Sequence, residues 1–299
     1  RNGKKEEEGK IMKRRTKRII QKAVVYILVL IIVLTIALPY AWLVISSIST
    51  KADLISVPIH FFPERPTLQN YKDMIFGTGA QTTDAASQFL SAFKNSAIAA
   101  GTVTVVCLVI GLLAAFAFSR YRFRGKSLQL NLILFVQMIP PIAVIIPMYM
   151  IMLNLGMMDN IGALIIIYLS FTLPFVIWIM KGYLDGIPVD LEEAAMIDGC
   201  GRLQSFFVVV LPVASTGLAS TTIFAFIIAW NEFFYALNFT STSASKTLPV
   251  LITEFSSKYG ADFILTSTAG VLASLPPVLL ALVFQKYIIS GLTSGAVKG

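Results

Sequence analysis

Val24-Val25-Tyr26-Ile27-Leu28-Val29-Leu30-Ile31-Ile32-Val33-Leu34-Thr35-Ile36-Ala37-Leu38-Pro39-Tyr40-Ala41-Trp42-Leu43 carries no charged side chain. A helix crossing a hydrocarbon core of about 30 Å needs roughly 20 apolar residues, so this run reads as a membrane span. Six stretches reach that length: 24–48, 93–119, 128–153, 161–180, 206–239 and 263–289. The fifth is long enough to include an interfacial turn at either end. Of the 299 residues 56% are hydrophobic and 13% charged, against about a quarter charged in a soluble domain. The excess apolar surface finds its solvent in lipid. The expected fold is all-α: one polytopic membrane domain of six transmembrane helices.

The net charge of +8 does not point to nucleic acid, because no basic face with reading aromatics is present. The basic residues stand in short blocks beside apolar runs, which is how membrane topology is encoded. With the N-terminus inside, segments 1–23, 119–127, 181–205 and 290–299, with Lys286, hold 18 of the 24 Lys and Arg. The outer side holds Lys51, Arg65, Lys72, Lys94, Lys246 and Lys258. Both termini are therefore expected in the cytoplasm. The expected organisation is a basic tail over 1–23, a membrane domain over 24–289, and a cytoplasmic tail over 290–299. The first ten residues, polar and highly charged, are expected to be disordered, and Met12 is a plausible alternative start. The first span is too long for a signal-peptide core and lacks a small-x-small cleavage site, so it reads as a retained anchor.

Pro140, Pro141 and Pro147 interrupt the third span and Pro174 the fourth. Each removes a backbone donor and frees a carbonyl upstream, which in lipid needs another partner. Such breaks either line a pathway or serve packing. Cys107 lies in an apolar run and Cys200 in a polar loop, so no disulfide is expected. The only histidine, His60, sits in a loop, and no metal spacing exists. No cofactor is expected. Gly125-Lys126-Ser127 imitates the end of a phosphate-binding loop, but Arg120 stands where the earlier glycine is required and a span precedes it instead of a strand. Nucleotide binding by this chain is not expected.

Between spans four and five runs Gly186-Ile187-Pro188-Val189-Asp190-Leu191-Glu192-Glu193-Ala194-Ala195-Met196-Ile197-Asp198-Gly199. It reads as a short helix, with Asp190 as N-cap, Glu193 completing a capping-box-like pair, acidic residues where the helix dipole favours them, and Gly199 as a left-handed stop. It is too short and too charged to span. Physically it is either a solvated connecting helix or a lever tied between two spans.

Glu193-Ala194-Ala195, Gly199, Val209 and Leu211-Pro212 resemble the EAA signature of membrane subunits of binding-protein-dependent ABC importers, with Val209 in place of the usual isoleucine. The resemblance extends to Phe116–Lys126, Met138-Ile139-Pro140, Leu173-Pro174-Phe175, Trp230-Asn231-Glu232-Phe233 and Pro66-Thr67-Leu68-Gln69-Asn70-Tyr71. These segments are similar to the carbohydrate-uptake class and to its maltose-type second permease subunit; 76–88 looks like a variable insert. The resemblance implies a sugar, a di- or oligosaccharide, handed over by an extracytoplasmic solute-binding protein. It also implies a second homologous permease subunit and two ABC ATPase subunits that hydrolyse the ATP, with this chain acting as no enzyme. Residues 181–205 become the cytoplasmic coupling loop, with Glu192, Glu193, Ala194, Ala195, Asp198, Gly199, Leu211 and Pro212 as candidate ATPase-coupling residues.

Glu193 is the candidate for docking, with capping of its own helix as the plainer role. Gln137, Asn231 and Glu232 are candidates for the sugar path. Gln137 equally suits a tie between helices. Glu232 is an ionisable group in an apolar context that also suits the outer interface beside Trp230 and Tyr235. The rival functions are a permease for amino acids or polyamines, an ion-coupled secondary transporter, and a structural membrane scaffold. The expected surroundings are a lipid bilayer and no nucleic acid.

Overall fold

The computed structural model describes residues 2–58, 60–77, 84–257 and 260–296. Lys258 of the charge tally, residues 78–83 of the insert and residues 297–299 of the C-terminal tail lie outside them. The helices are α1 (Asn2–Ser47), α2 (Lys51–Leu54), α3 (Gln69–Phe76), α4 (Asp84–Ser87), α5 (Phe89–Arg120), α6 (Lys126–Gln137), α7 (Pro141–Asn154) and α8 (Ile161–Asp185). They continue with α9 (Asp190–Ile197), α10 (Arg202–Ser205), a π-helical turn (Phe206–Val210), α11 (Leu211–Val213), α12 (Ser215–Trp230), α13 (Phe234–Phe239), α14 (Leu248–Glu254) and α15 (Phe263–Ala296). A two-residue antiparallel hairpin, β1 (Ser256–Ser257) with β2 (Gly260–Ala261), precedes α15. The chain is all-α apart from that hairpin.

Five stretches are long and apolar enough to cross a membrane: Lys17–Ser47, Phe89–Arg120, Ile161–Asp185, Ser215–Phe239 and Phe263–Tyr287. The third expected span, 128–153, is not one helix. It is the pair α6 and α7, bent by 96° at a break. The break itself is local: Pro140 holds the extended conformation before α7 and Pro141 fills its first turn, where a missing N–H leaves no bond unmade.

Two termini also differ from expectation. The first ten residues were expected to be disordered, yet α1 begins at Asn2. This segment consists largely of Lys and Glu, both good helix formers. At the other end α15 continues to Ala296, past the expected boundary at 289.

The core lies where α5, α8 and α12 meet, around Val103, Cys107, Tyr168, Val176, Met180 and Phe206. Two glycines let these helices approach closely. A Cβ on Gly111 would lie 2.7 Å from Val176 Cγ1, and one on Gly217 would run into the Tyr183 ring. α15 packs on α12, and α1 leans on α15 through Leu43 against Gly270 and a Tyr40–Ser274 hydroxyl contact of 2.8 Å. Residues 17–42 of α1 are exposed on every side.

Candidate functional site

At one end of the bundle the C-termini of α5 and α8 meet α9. The expected Asp190 cap is not made: the residue before the helix is Val189, no side chain caps it, and Asp190 is already in the first turn with Glu192 and Glu193. Val189 itself has helical φ and ψ, so helical backbone starts ahead of the cap that Asp190 would have formed. The three carboxylates still lie where the helix dipole favours them. At the far end Gly199 has φ +95°, the left-handed conformation that glycine adopts without strain.

The helix is two-sided. Glu192 and Ala195 are buried, whereas Glu193, Ala194, Ile197, Asp198 and Gly199 are exposed. Ile197 is 86% exposed, an apolar side chain beside the exposed Glu193 and Asp198. Among the described residues the Glu193 side chain has no hydrogen-bond or ion-pair partner. Glu192, grouped with it in the sequence reading, faces the opposite way. It is ion-paired with Arg120 Nε, and the two side chains are only 9% and 10% exposed. Arg120 also donates to Ile187 O at 3.0 Å. Phe116, Ser119, Tyr121, Arg202 and Met196 help line a cavity of about 350 Å³ around this pair. Arg202 lies over the Tyr121 ring at 5.5 Å. Leu211 and Pro212 follow the π turn, whose closing bond runs from Leu211 N to Phe206 O. Pro212 falls where its missing N–H is absorbed by that turn.

The three candidate path residues are not brought together. Gln137, the last residue of α6, donates to Phe171 O at 2.5 Å, less than one turn before Pro174, where the broken ladder of α8 loosens its carbonyls. Glu232 sits in the break between α12 and α13. Its carboxylate accepts from Tyr235 N at 2.8 Å and Ala236 N at 3.1 Å, so it caps the N-terminus of α13. Asn231 is exposed and borders a cavity of about 380 Å³ with Trp230, Leu248, Ile252, Ser274 and Pro277. Trp230 Nε1 donates to Ala273 O at 3.1 Å, the carbonyl that Pro277 leaves without its helical partner.

Two groups escaped the sequence reading. Arg120 entered as a topological charge, as the residue that breaks the phosphate-loop pattern and within the Phe116–Lys126 resemblance, but not as a partner of Glu192; its signal was an arginine directly at the end of an apolar span. Asp159 was not singled out, although Asp159-Asn160 after Gly156 marks a turn. Asp159 has φ +57° and accepts from Ser241 N at 2.8 Å, Thr242 N at 3.0 Å and Thr242 Oγ1 at 2.6 Å, and from Ser245 Oγ. It pins the α7–α8 turn to the segment after α13. Partial burial works to raise its carboxyl, but the Ser245 and Thr242 hydroxyls and the two N–H donors outweigh it and hold the group well below the usual carboxylate range. An unfolded aspartate titrates near pH 3.9. The clamp's contribution is therefore complete above about pH 4 and is lost as pH falls toward the lower folded value. Thermal unfolding in detergent across acid pH should show Asp159→Asn less stable than the parent at neutral pH, the gap narrowing below about pH 4. A gap independent of pH would deny the carboxylate this role.

Residues 107–294 match the family model described as binding-protein-dependent transport system inner membrane component. The chain is 36% identical over 262 residues to the trehalose/maltose transport system permease protein MalG of Thermococcus litoralis, covering 87% of this chain and 91% of that protein. It is equally 36% identical over 262 residues to the sulfoquinovosyl glycerol transport system permease protein SmoH of Agrobacterium fabrum, covering 87% and 88%. Among solved structures it is similar to a chain of a bacterial ABC transporter involved in import of the acidic polysaccharide alginate. The TM-score is 0.74 at 23% identity, with 90% of this chain and 96% of that chain covered; at that identity the likeness is one of fold.

Proposed function

The chain belongs to the family of binding-protein-dependent transport system inner membrane components, and from that premise we propose that it conducts a sugar, as one of two permease subunits in an ATP-driven importer. The observation that carries the coupling part is the two-sided α9, clamped to the bundle by its buried face while Glu193, Ala194 and Ile197 stand free. A face made so is suited to a partner, and the partner we assign to it is one of two ATPase subunits. The sugar assignment rests on relatives named for trehalose/maltose and sulfoquinovosyl glycerol. An extracytoplasmic binding protein delivers the solute, a second homologous permease completes the bundle, and this chain hydrolyses no ATP. The α9 end of the bundle and both chain termini face the cytoplasm, with 1–23 and 290–299 flanking the membrane domain. Of the path candidates, Gln137 and Asn231 remain assigned to the solute route. Glu232 shapes that route indirectly, by starting α13.

Sealed vesicles carrying the complete transporter test this reading. Uptake of labelled trehalose, maltose and longer glucosides is expected only with internal ATP and external binding protein. Uptake driven by an ion gradient without ATP would overturn it, as would sustained ATP hydrolysis by the purified chain alone.

The native thiols test the orientation. Cys107 is buried and Cys200, directly after Gly199, is partly exposed. A membrane-impermeant maleimide is expected to label Cys200 in inside-out vesicles but not in right-side-out ones, and to leave Cys107 unlabelled in both. Thiolates form where water supports them. ATPase subunits should slow the labelling, and Cys200→Ser should abolish it. Labelling from the outside would invert the topology.

A further inference from the structure

We infer that the buried Arg120–Glu192 pair is the mechanical link by which motion of α9 reaches α5, a span to which α9 has no short covalent connection. This rests on the reading of α9 as the ATPase-docking helix. By chain connectivity α9 can move only its sequence neighbours: α8 through residues 186–189, and α12 through α10, the π turn and α11. Arg120 is the last residue of α5, and it grips α9 directly and also the turn that leads into it. Its Nε binds the Glu192 carboxylate, and its Nη2 donates to Ile187 O at 3.0 Å. The grip extends sideways: Arg120 Nη1 donates to Ser119 Oγ at 3.1 Å, Ser119 Oγ donates to Asp185 Oδ1 at 2.6 Å, and Lys181 Nζ pairs with Asp185 Oδ2 at 2.5 Å. The ends of α5 and α8 and the body of α9 thus form one braced joint.

Stability alone does not call for such a joint. A buried ion pair is often no more stabilising than apolar residues of the same volume, and Phe116 already packs on Phe206 with ring centroids 4.3 Å apart. What a planar guanidinium adds is direction: its fork fixes orientation at several acceptors at once, so a displaced α9 draws α5 with it instead of sliding past. Burial also shields the pair from the salt screening that weakens exposed ones. Arg120 and Glu192 are positioning residues, acting on the solute route only through α5.

The test uses the complete transporter in nanodiscs, with Cys107→Ser and Cys200→Ser removing the native thiols and Lys94→Cys placing one thiol at an exposed site near the far end of α5. Labelling by an impermeant maleimide is timed with and without ATP plus vanadate, and the yield of co-purified ATPase subunits is recorded. In the parent, trapped nucleotide should change the labelling rate by about fivefold or more, the lower end of ordinary coupling factors. Glu192→Gln, which keeps shape but removes charge, should retain the ATPase subunits and lose most of that change. The swap Arg120→Glu with Glu192→Arg should recover part of it. A full response in Glu192→Gln overturns the link, as does a parent that shows no response. Loss of assembly in Glu192→Gln assigns the pair to folding and overturns it too. Glu193→Lys, run in parallel, judges the docking reading separately, because that reading fails if this variant keeps its ATPase subunits while the link is judged on labelling alone.

Discussion

Glu193→Lys is expected to strip the ATPase subunits from the purified complex while the chain still inserts in the membrane. The Glu193 side chain is exposed and has no hydrogen-bond or ion-pair partner among the described residues, so its replacement leaves the fold unharmed. Reversal places a cation in the first turn of α9, against the helix dipole, and sets like charges together if the ATPase cleft presents a basic group. Breaking a close interfacial charge pair costs about 2–5 kcal/mol, a weakening of roughly 30-fold or more. Solute uptake should fall with the yield of co-purified ATPase. Glu193→Gln should do less, because it removes attraction without adding repulsion. Wild-type yield and normal uptake in Glu193→Lys would sink the docking assignment.

Trp230→Ala is expected to be the most destabilising single truncation in the bundle. Trp230 is 3% exposed, stacks on Phe226 with centroids 5.5 Å apart and meets Phe93 edge-on at the same distance. Emptying such a site costs about 3–5 kcal/mol. The indole also satisfies Ala273 O, and losing that partner in an apolar setting costs about 1–3 kcal/mol. Trp230→Phe separates the two effects, since it keeps most of the packing and drops only the hydrogen bond. Thermal unfolding in detergent should rank the parent above Trp230→Phe, and Trp230→Phe above Trp230→Ala. Equal unfolding of the two variants would mean that the hydrogen bond alone matters.

The spans were legible because lipid imposes a length and a composition on them that no tertiary contact can override. The α9 helix was legible for the opposite reason: its acidic start and glycine stop are local signals. What was hidden depended on partners far apart in sequence. Gln137 and Glu232 looked alike on paper, each a polar group in an apolar run. One ties α6 to α8 and the other starts α13, and only the fold tells them apart. Glu192 and Glu193 are neighbours with opposite fates because successive residues on a helix point about 100° apart. The choice of buried face was made by Arg120, 72 residues earlier. The prolines announced that 128–153 would break, but not that its halves would diverge by 96°, because that angle is set by the packing of α6 on α8 and of α7 beside α13.

The exposed length of α1 carries a consequence of its own. The 31 residues from Lys17 to Ser47 make a helical rod about 46 Å long, against a hydrocarbon thickness of about 30 Å. Only from Leu43 onward does the rod become less exposed; before that it is a cantilever, fixed at one end, without a charge from Ala23 on and basic at its free end through Lys17, Arg18 and Lys22. A cantilever of that length relieves the mismatch by leaning. In the isolated subunit its angle therefore belongs to the bilayer more than to the protein: thin membranes should lay it down and thick ones raise it, while the rest of the bundle stays put.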